Sequence, residues 1–125
     1  KMNVVLHVPR VAPIDQFVIL HRHALRVIGE LESVLQDVTL SDLTHHLLHP
    51  GGAKVMATYQ SAFGFGDHAI DNSREAMRRY GNQSSASVLF MLHDLMASGR
   101  AEPGDLGMMV ALGPGFAAEM LTLSW

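Results

Sequence analysis

The sequence predicts an α/β domain in which helices pack on a mixed sheet and an antiparallel hairpin closes the fold. Three observations predict it. Short apolar runs at 3–7, 43–48, 106–112 and 116–123 have the length of strands, not of helices. The stretches between the first three carry apolar residues at three- and four-residue steps, as amphipathic helices do. Gly113-Pro114-Gly115 separates the last two runs by a turn too short for a crossover, so those strands must run antiparallel. Strands joined through helices favour parallel neighbours, and the final hairpin makes the sheet mixed. No internal repeat or second domain is visible, so 1–125 reads as one domain.

Taken in order, Asn3–His7 reads as a strand, and Pro9 and Pro13 bracket a loop. The chain starts abruptly on that strand, which implies that preceding sequence is missing. Ile14 to Gln36 is helical, with Phe17, Val18, His21, Leu25, Ile28, Leu31 and Leu35 on one face and Asp15 near its start, where the helix dipole favours an acid. Residues 37–42 read as a loop. Leu43 to Leu48 is a buried strand stopped by His49-Pro50-Gly51-Gly52. Ala53 to Phe63 forms a helix with Val55, Met56, Tyr59 and Phe63 on one side, and Gly64-Phe65-Gly66 breaks it. Asp71 or Asn72 is expected to cap a short helix through Tyr80. After the Gly81-Asn82 turn, Ser84 or Ser85 is expected to cap a helix to about Ser98, with Ala86, Leu89, Phe90, His93 and Met96 on its buried face. Residues 99–104 form a loop, and Leu106–Leu112 and Phe116–Leu123 form the hairpin.

Composition excludes several kinds of function. The net charge of −3 and pI of about 6.2 leave no basic stripe for nucleic acid. No apolar run reaches the ~18 residues of a membrane span, and no signal peptide is visible, so the default is a soluble cytoplasmic protein. Without cysteine, the chain can supply neither a disulfide, nor a thiolate metal site, nor a thiol nucleophile.

Two segments place a polar side chain at an abrupt turn beside glycine. One is His49-Pro50-Gly51-Gly52 at a strand end. The other is Tyr80-Gly81-Asn82-Gln83-Ser84-Ser85 before a helix. Such positions in α/β proteins face the crevice where ligands bind. An imidazole and a carboxamide aimed at one point can donate to a carbonyl oxygen that gains negative charge, which makes an oxyanion hole. The histidine can also stabilise a nearby thiolate.

HPGG, YGNQSSASVLF and GDLGMMVALGPGFAAEML, in that order, resemble the C-terminal signature of the type III polyketide synthases, the chalcone synthase-like enzymes, and the resemblance covers nearly the whole chain. It implies the C-terminal half of a thiolase-like fold, with the Cys-bearing N-terminal half absent from this chain. It implies that His49 and Asn82 are catalytic, working with a cysteine from that other half. It assigns Gly113, Pro114, Gly115 and Phe116 to the cavity wall, with Gly81 and Ser84 as further substrate-binding positions. The implied activity is acyl transfer by decarboxylative Claisen condensation of malonyl-CoA with an acyl thioester. Acyl-CoA and malonyl-CoA are substrates, and no cofactor or metal is needed. The implied partners are the Cys-bearing half or chain and a second copy of the complete enzyme, with no nucleic acid and no membrane. The alternative is a non-catalytic module, derived from such an enzyme, that binds acyl-CoA or pairs with a synthase. Gln83 stands where the family usually has methionine. The 14–36 helix and its following loop look longer than in the plant enzymes, which suggests a bacterial-type member.

The remaining histidines carry less. His45, His46 and His49 form HH-x-x-H, which on a helix could bind zinc, but Pro50 and the apolar flank favour a strand. His21 reads as a core histidine, and His7, His68 and His93 as structural or surface residues. Arg78-Arg79 reads as a solvated helix face, not a clamp for the CoA phosphates.

Overall fold

The structure, a computed structural model, describes residues 2–8, 39–113 and 117–125, with residues 2–8 and 117 as backbone. The helix expected at Ile14–Gln36 therefore lies outside the described residues, as do Pro114, Gly115 and Phe116.

Among the described residues, four strands form one sheet: β1 (Met2–Val8), β2 (His45–Leu48), β3 (Leu106–Gly113) and β4 (Ala117–Ser124), in the order β1-β4-β3-β2. β4 runs antiparallel to both β1 and β3, and β2 runs parallel to β3. The mixed sheet and the closing hairpin are as the sequence predicts. Three α-helices connect β2 to β3: α1 (Ala53–Phe63), α2 (Asp71–Tyr80) and α3 (Ser87–Ala97). A parallel pair needs such a crossover because its strands enter from the same end.

The sheet is covered on both faces, which explains why β3 is an unbroken apolar run and not an alternating one. Met108, Val110 and Leu112 point to one side, into a core with Leu48, Ala118, Met120 and Tyr59 of α1. Met109 points to the other side, where Leu47 meets Ala76 of α2 and Val88, Met91 and Leu95 of α3. β2 lies at the sheet edge, where open carbonyls invite unwanted pairing. Here α2 covers them. Asn72 Nδ2 donates to the His46 carbonyl (3.2 Å), and the fully buried Ser73 donates its hydroxyl to the Leu48 carbonyl (2.6 Å).

At the far end of the same strands, Gly107 leaves room for Trp125. A Cβ there would lie 2.9 Å from the indole ring and 3.1 Å from the His45 carbonyl. Trp125 in turn meets the His45 ring edge-on at 5.2 Å, and His45 Nε2 lies 2.8 Å from Asp105 Oδ2. The Asp105 carboxyl is held below its ordinary range, first by the Glu102 backbone N–H and then by His45.

Four local expectations are corrected. β2 starts at His45, not Leu43, because residues 40–42 wind into a 3₁₀ turn. Its entry is held by Thr39, whose N–H and hydroxyl both donate to Asp42 Oδ2 at 2.7 Å. Neither Asp71 nor Asn72 caps α2. A 3₁₀ turn (Asp67–Ile70) feeds directly into that helix, leaving Asp71 to His68 and Arg74, and Asn72 to β2. Neither Ser84 nor Ser85 caps α3, because both belong to a 3₁₀ turn (Ser84–Ala86) that precedes it. Finally, the buried face of α3 is Ser87, Val88, Met91 and Leu95. Ala86 and His93 are exposed, as are Leu89 (59%), Phe90 (44%) and Met96 (64%).

Candidate active site

His49 reaches its place because β2 ends there. Its N–H still donates to the Val110 carbonyl (2.9 Å), after which Pro50 and two glycines turn the chain into α1. Gly52 sits at φ +117°, which favours glycine. Gly51 is favoured for a different reason. A Cβ there would come within 3.0 Å of Val55 Cγ2 and 3.2 Å of His49 Cδ2, so a side chain would need both to give by a few tenths of an ångström.

The His49 side chain is buried, and its Nδ1 has no hydrogen-bond partner. Burial pushes the ring's pKa below its ordinary value, opposed in part by a backbone hydrogen bond at Ser84. A buried polar atom without a partner costs free energy, and the residue that carries it lines a cleft.

Asn82 is delivered by the end of α2. Gly81 takes φ +69°, and its N–H donates to the Met77 carbonyl (3.0 Å), closing the helix. The Tyr80 phenol donates to both oxygens of Asp94 (2.9 and 3.0 Å), which ties this end to α3. Asn82 Oδ1 accepts from the Ser84 N–H at 2.9 Å. With the oxygen so engaged, the two Nδ2 protons are left to donate elsewhere. Ser84 is the one non-glycine residue with positive φ (+56°) among the described residues. That left-handed backbone costs on the order of 1–2 kcal/mol and persists where the surroundings hold it. Here it puts one residue's backbone against both side chains: its N–H on Asn82 and its hydrogen bond on His49.

His49, Asn82, Ser84 and Gly113 line a single cleft of about 410 Å³. Gly81 is the turn residue beside Asn82 and does not line it. Gly51 of the His49-Pro50-Gly51-Gly52 turn also lines the cleft, as do Val55 and Leu112, which the sequence does not mark as site residues. Leu112 could have been found from its place at the end of β3 beside Gly113, since strand ends border such crevices. Val55 looked like one more apolar helix position. The walls are thus apolar at Val55 and Leu112 and polar at the imidazole and carboxamide. A site so built sets an apolar wall for an acyl group beside two polar side chains.

The other histidines are used elsewhere. His45 faces Asp105 and Trp125. His46 packs on Phe65 (4.4 Å between ring centroids) with its Nε2 buried and unpartnered. His68 and His93 are exposed, and Arg78 and Arg79 pair with Glu75 and Asp94. Among the described residues, no three His, Asp or Glu side chains gather as a metal ion would need, and no helix is long and apolar enough to cross a membrane.

His46 and His49 give a prediction for stability against pH. Burial lowers both pKa values below the ordinary 6.5, and the neighbouring His45 adds to the effect at His46. The unfolded chain therefore takes up protons on these rings before the folded one does. Stability is complete above about pH 6.5 and declines as pH falls through the folded-state values. Thermal melts should give a lower Tm at pH 5.5 than at pH 7.5. His46→Phe, which removes one titrating ring beside Phe65, should reduce that difference.

Comparison with known proteins shows the family and the fold. The family described as 3-oxoacyl-acyl-carrier-protein (ACP) synthase III C terminal matches residues 35–125. The chain is 43% identical over 99 residues to the 1,3,6,8-tetrahydroxynaphthalene synthase of Streptomyces peucetius subsp. caesius, covering 78% of this chain and 26% of that relative. It is 38% identical over 85 residues to the 3,5-dihydroxyphenylacetyl-CoA synthase of Amycolatopsis balhimycina, covering 68% and 23%. It superposes on the crystal structure of 1,3,6,8-tetrahydroxynaphthalene synthase from Streptomyces coelicolor A3(2), described as a bacterial type III polyketide synthase. The TM-score is 0.77 at 25% identity, covering 97% of this chain and 36% of the other. The chain therefore spans about a quarter of the length of the relatives it matches.

Proposed function

Because the chain belongs to the 3-oxoacyl-ACP synthase III C-terminal family, with type III polyketide synthases as its relatives, we propose that it supplies the His–Asn half of an acyltransferase site. The reaction is decarboxylative Claisen condensation of malonyl-CoA with an acyl thioester held on a cysteine outside this chain. One observation carries the proposal: His49 and Asn82, from separate elements, line the same cleft.

In this scheme the acyl group arrives by exchange of its CoA for the cysteine sulfur. His49 holds the cysteine as a thiolate before loading and donates to the thioester carbonyl afterwards. Malonyl-CoA then loses carbon dioxide, and the electron pair of the broken C–C bond moves onto the thioester as an enolate. Asn82 Nδ2 donates to that oxygen, where the charge develops. The enolate carbon attacks the acyl carbonyl, the cysteine thiolate leaves, and a β-ketoacyl-CoA extended by two carbons results. Val55, Leu112 and Gly113 border the acyl chain. The Cys-bearing half packs against α3, a role supported by the exposed Leu89, Phe90 and Met96, since large apolar side chains clustered on one element mark interaction surfaces. The complete enzyme is a cytoplasmic homo-oligomer that needs no cofactor beyond its CoA substrates.

The test is to assemble the chain with its Cys-bearing half and supply carboxyl-labelled malonyl-CoA and an acyl-CoA starter. Labelled carbon dioxide and a carbon–carbon bonded product are expected, and alkylating the cysteine with iodoacetamide should stop product formation. A folded assembly that releases no carbon dioxide and makes no product rejects the proposal.

A further inference from the structure

We propose that Gln83 is a positioning residue for Asn82: its side-chain amide closes the turn that carries Asn82, with a bond that the methionine usual in the resembling family could not make. The inference rests on the role proposed above for Asn82.

α2 ends at Tyr80, whose carbonyl is among the last four of a helix and so has no partner within it. Gln83 Nε2 donates to that carbonyl at 2.8 Å. The backbone N–H of Gln83 donates to the hydroxyl of Ser87 (2.9 Å), which is buried at the start of α3. Gln83 thereby joins the end of one helix to the beginning of the next, with Asn82 between the two attachments. Both anchors are themselves fixed. Tyr80 stacks on Phe90 (5.1 Å between ring centroids) and donates its phenol to Asp94, and Ser87 packs in the core beneath α3.

Asn82 needs this support because little else orients it. The one hydrogen bond described for its side chain is local, from the N–H two residues on. The residue before it is Gly81, which has the widest backbone freedom of any residue. The direction in which the carboxamide enters the cleft is therefore set by the backbone of the turn, and the Gln83–Tyr80 bond is the side-chain contact that spans it. Reaction geometry is sensitive to such placement, because small displacements of a donor are felt in rate. Methionine at 83 keeps the length of the side chain and the Ser87 contact of the backbone N–H, but has no side-chain N–H for the Tyr80 carbonyl.

The experiment uses the complete synthase and reads two steps separately: release of carbon dioxide from malonyl-CoA, which depends on Asn82, and loading of the starter acyl group onto the cysteine, which does not. Gln83→Met should lower decarboxylation roughly 3- to 10-fold, about what one net hydrogen bond is worth, with loading unchanged. Gln83→Lys, which restores a donor within reach of the helix-terminal carbonyl, should recover most of the rate. A merely structural role would reduce both steps together or lower Tm without separating them, and either result overturns the inference. So does a Gln83→Met enzyme that decarboxylates at the wild-type rate while Asn82→Ala does not, an outcome that leaves the role of Asn82 standing. If Asn82→Ala itself decarboxylates normally, the role of Asn82 fails and takes that of Gln83 with it.

Discussion

Replacing Asn82 by alanine should lower malonyl-CoA decarboxylation by about 10²- to 10³-fold, the usual cost of removing one oxyanion donor. Asn82 is exposed at the rim of the cleft, and its described hydrogen bond is to the neighbouring Ser84 N–H, so the fold should tolerate the change. Losing the acceptor of the Ser84 N–H should cost about 1 kcal/mol, what one net hydrogen bond is worth, so the rate should fall far more than this modest loss of stability explains. Asn82→Asp sharpens the test. The aspartate keeps an oxygen for the Ser84 N–H, and so keeps the turn, but it replaces the N–H donor with a negative charge facing a developing enolate. It should be at least as slow as the alanine variant. Carbon dioxide release at the wild-type rate in either variant would remove Asn82 from the chemistry.

Replacing His49 by alanine should cost a similar or larger factor in condensation, and should act at a different step. His49 is buried and its Nδ1 has no partner, so the hydrogen bond lost with it is the one to the Ser84 backbone. Burial holds the ring below its ordinary pKa in this chain. A thiolate brought against it would act in the opposite direction, favouring the imidazolium and in return lowering the thiol's own pKa. His49→Ala should therefore slow alkylation of the cysteine at neutral pH and move its reactivity to higher pH. His49→Gln separates the two duties. Its carboxamide can still donate to a thioester carbonyl but cannot carry a positive charge, so it should retain part of the condensation rate while losing thiolate stabilisation. Cysteine alkylation that is equally fast with and without His49 would reject the thiolate role.

Much of the fold was legible in the chain because its signals are local. Proline and glycine fix where β2 stops and where the final hairpin turns, and α1 occupies the predicted range, Ala53–Phe63. The two polar turns were legible for the same reason: a histidine before Pro-Gly-Gly and an asparagine after glycine are visible without coordinates. The caps are not legible in the same way, because a serine or aspartate before a helix can equally sit in a 3₁₀ turn, and only the neighbouring elements decide. The residues around Ser84 adopt that turn while its N–H serves Asn82, and Ser87 accepts from Gln83 instead.

The face of α3 marks the boundary between the two kinds of information. Residues 87–97 are apolar nearly all round, so periodicity offers two stripes, Val88-Met91-Leu95 and Leu89-His93-Met96, and cannot choose between them. The choice fell to Leu47 and Met109, which lie far away in sequence and present the surface that α3 must cover. By itself the sequence determined the elements, the hairpin and the chemical character of its two polar turns, because short-range sterics and periodicity set these. Only the tertiary structure decided which face of α3 is buried, what Ser84 and Ser87 bind, and that His49 and Asn82 share one cleft. Those outcomes depend on how the parallel pairing of β2 with β3 brings distant segments together, and no local pattern encodes that distance.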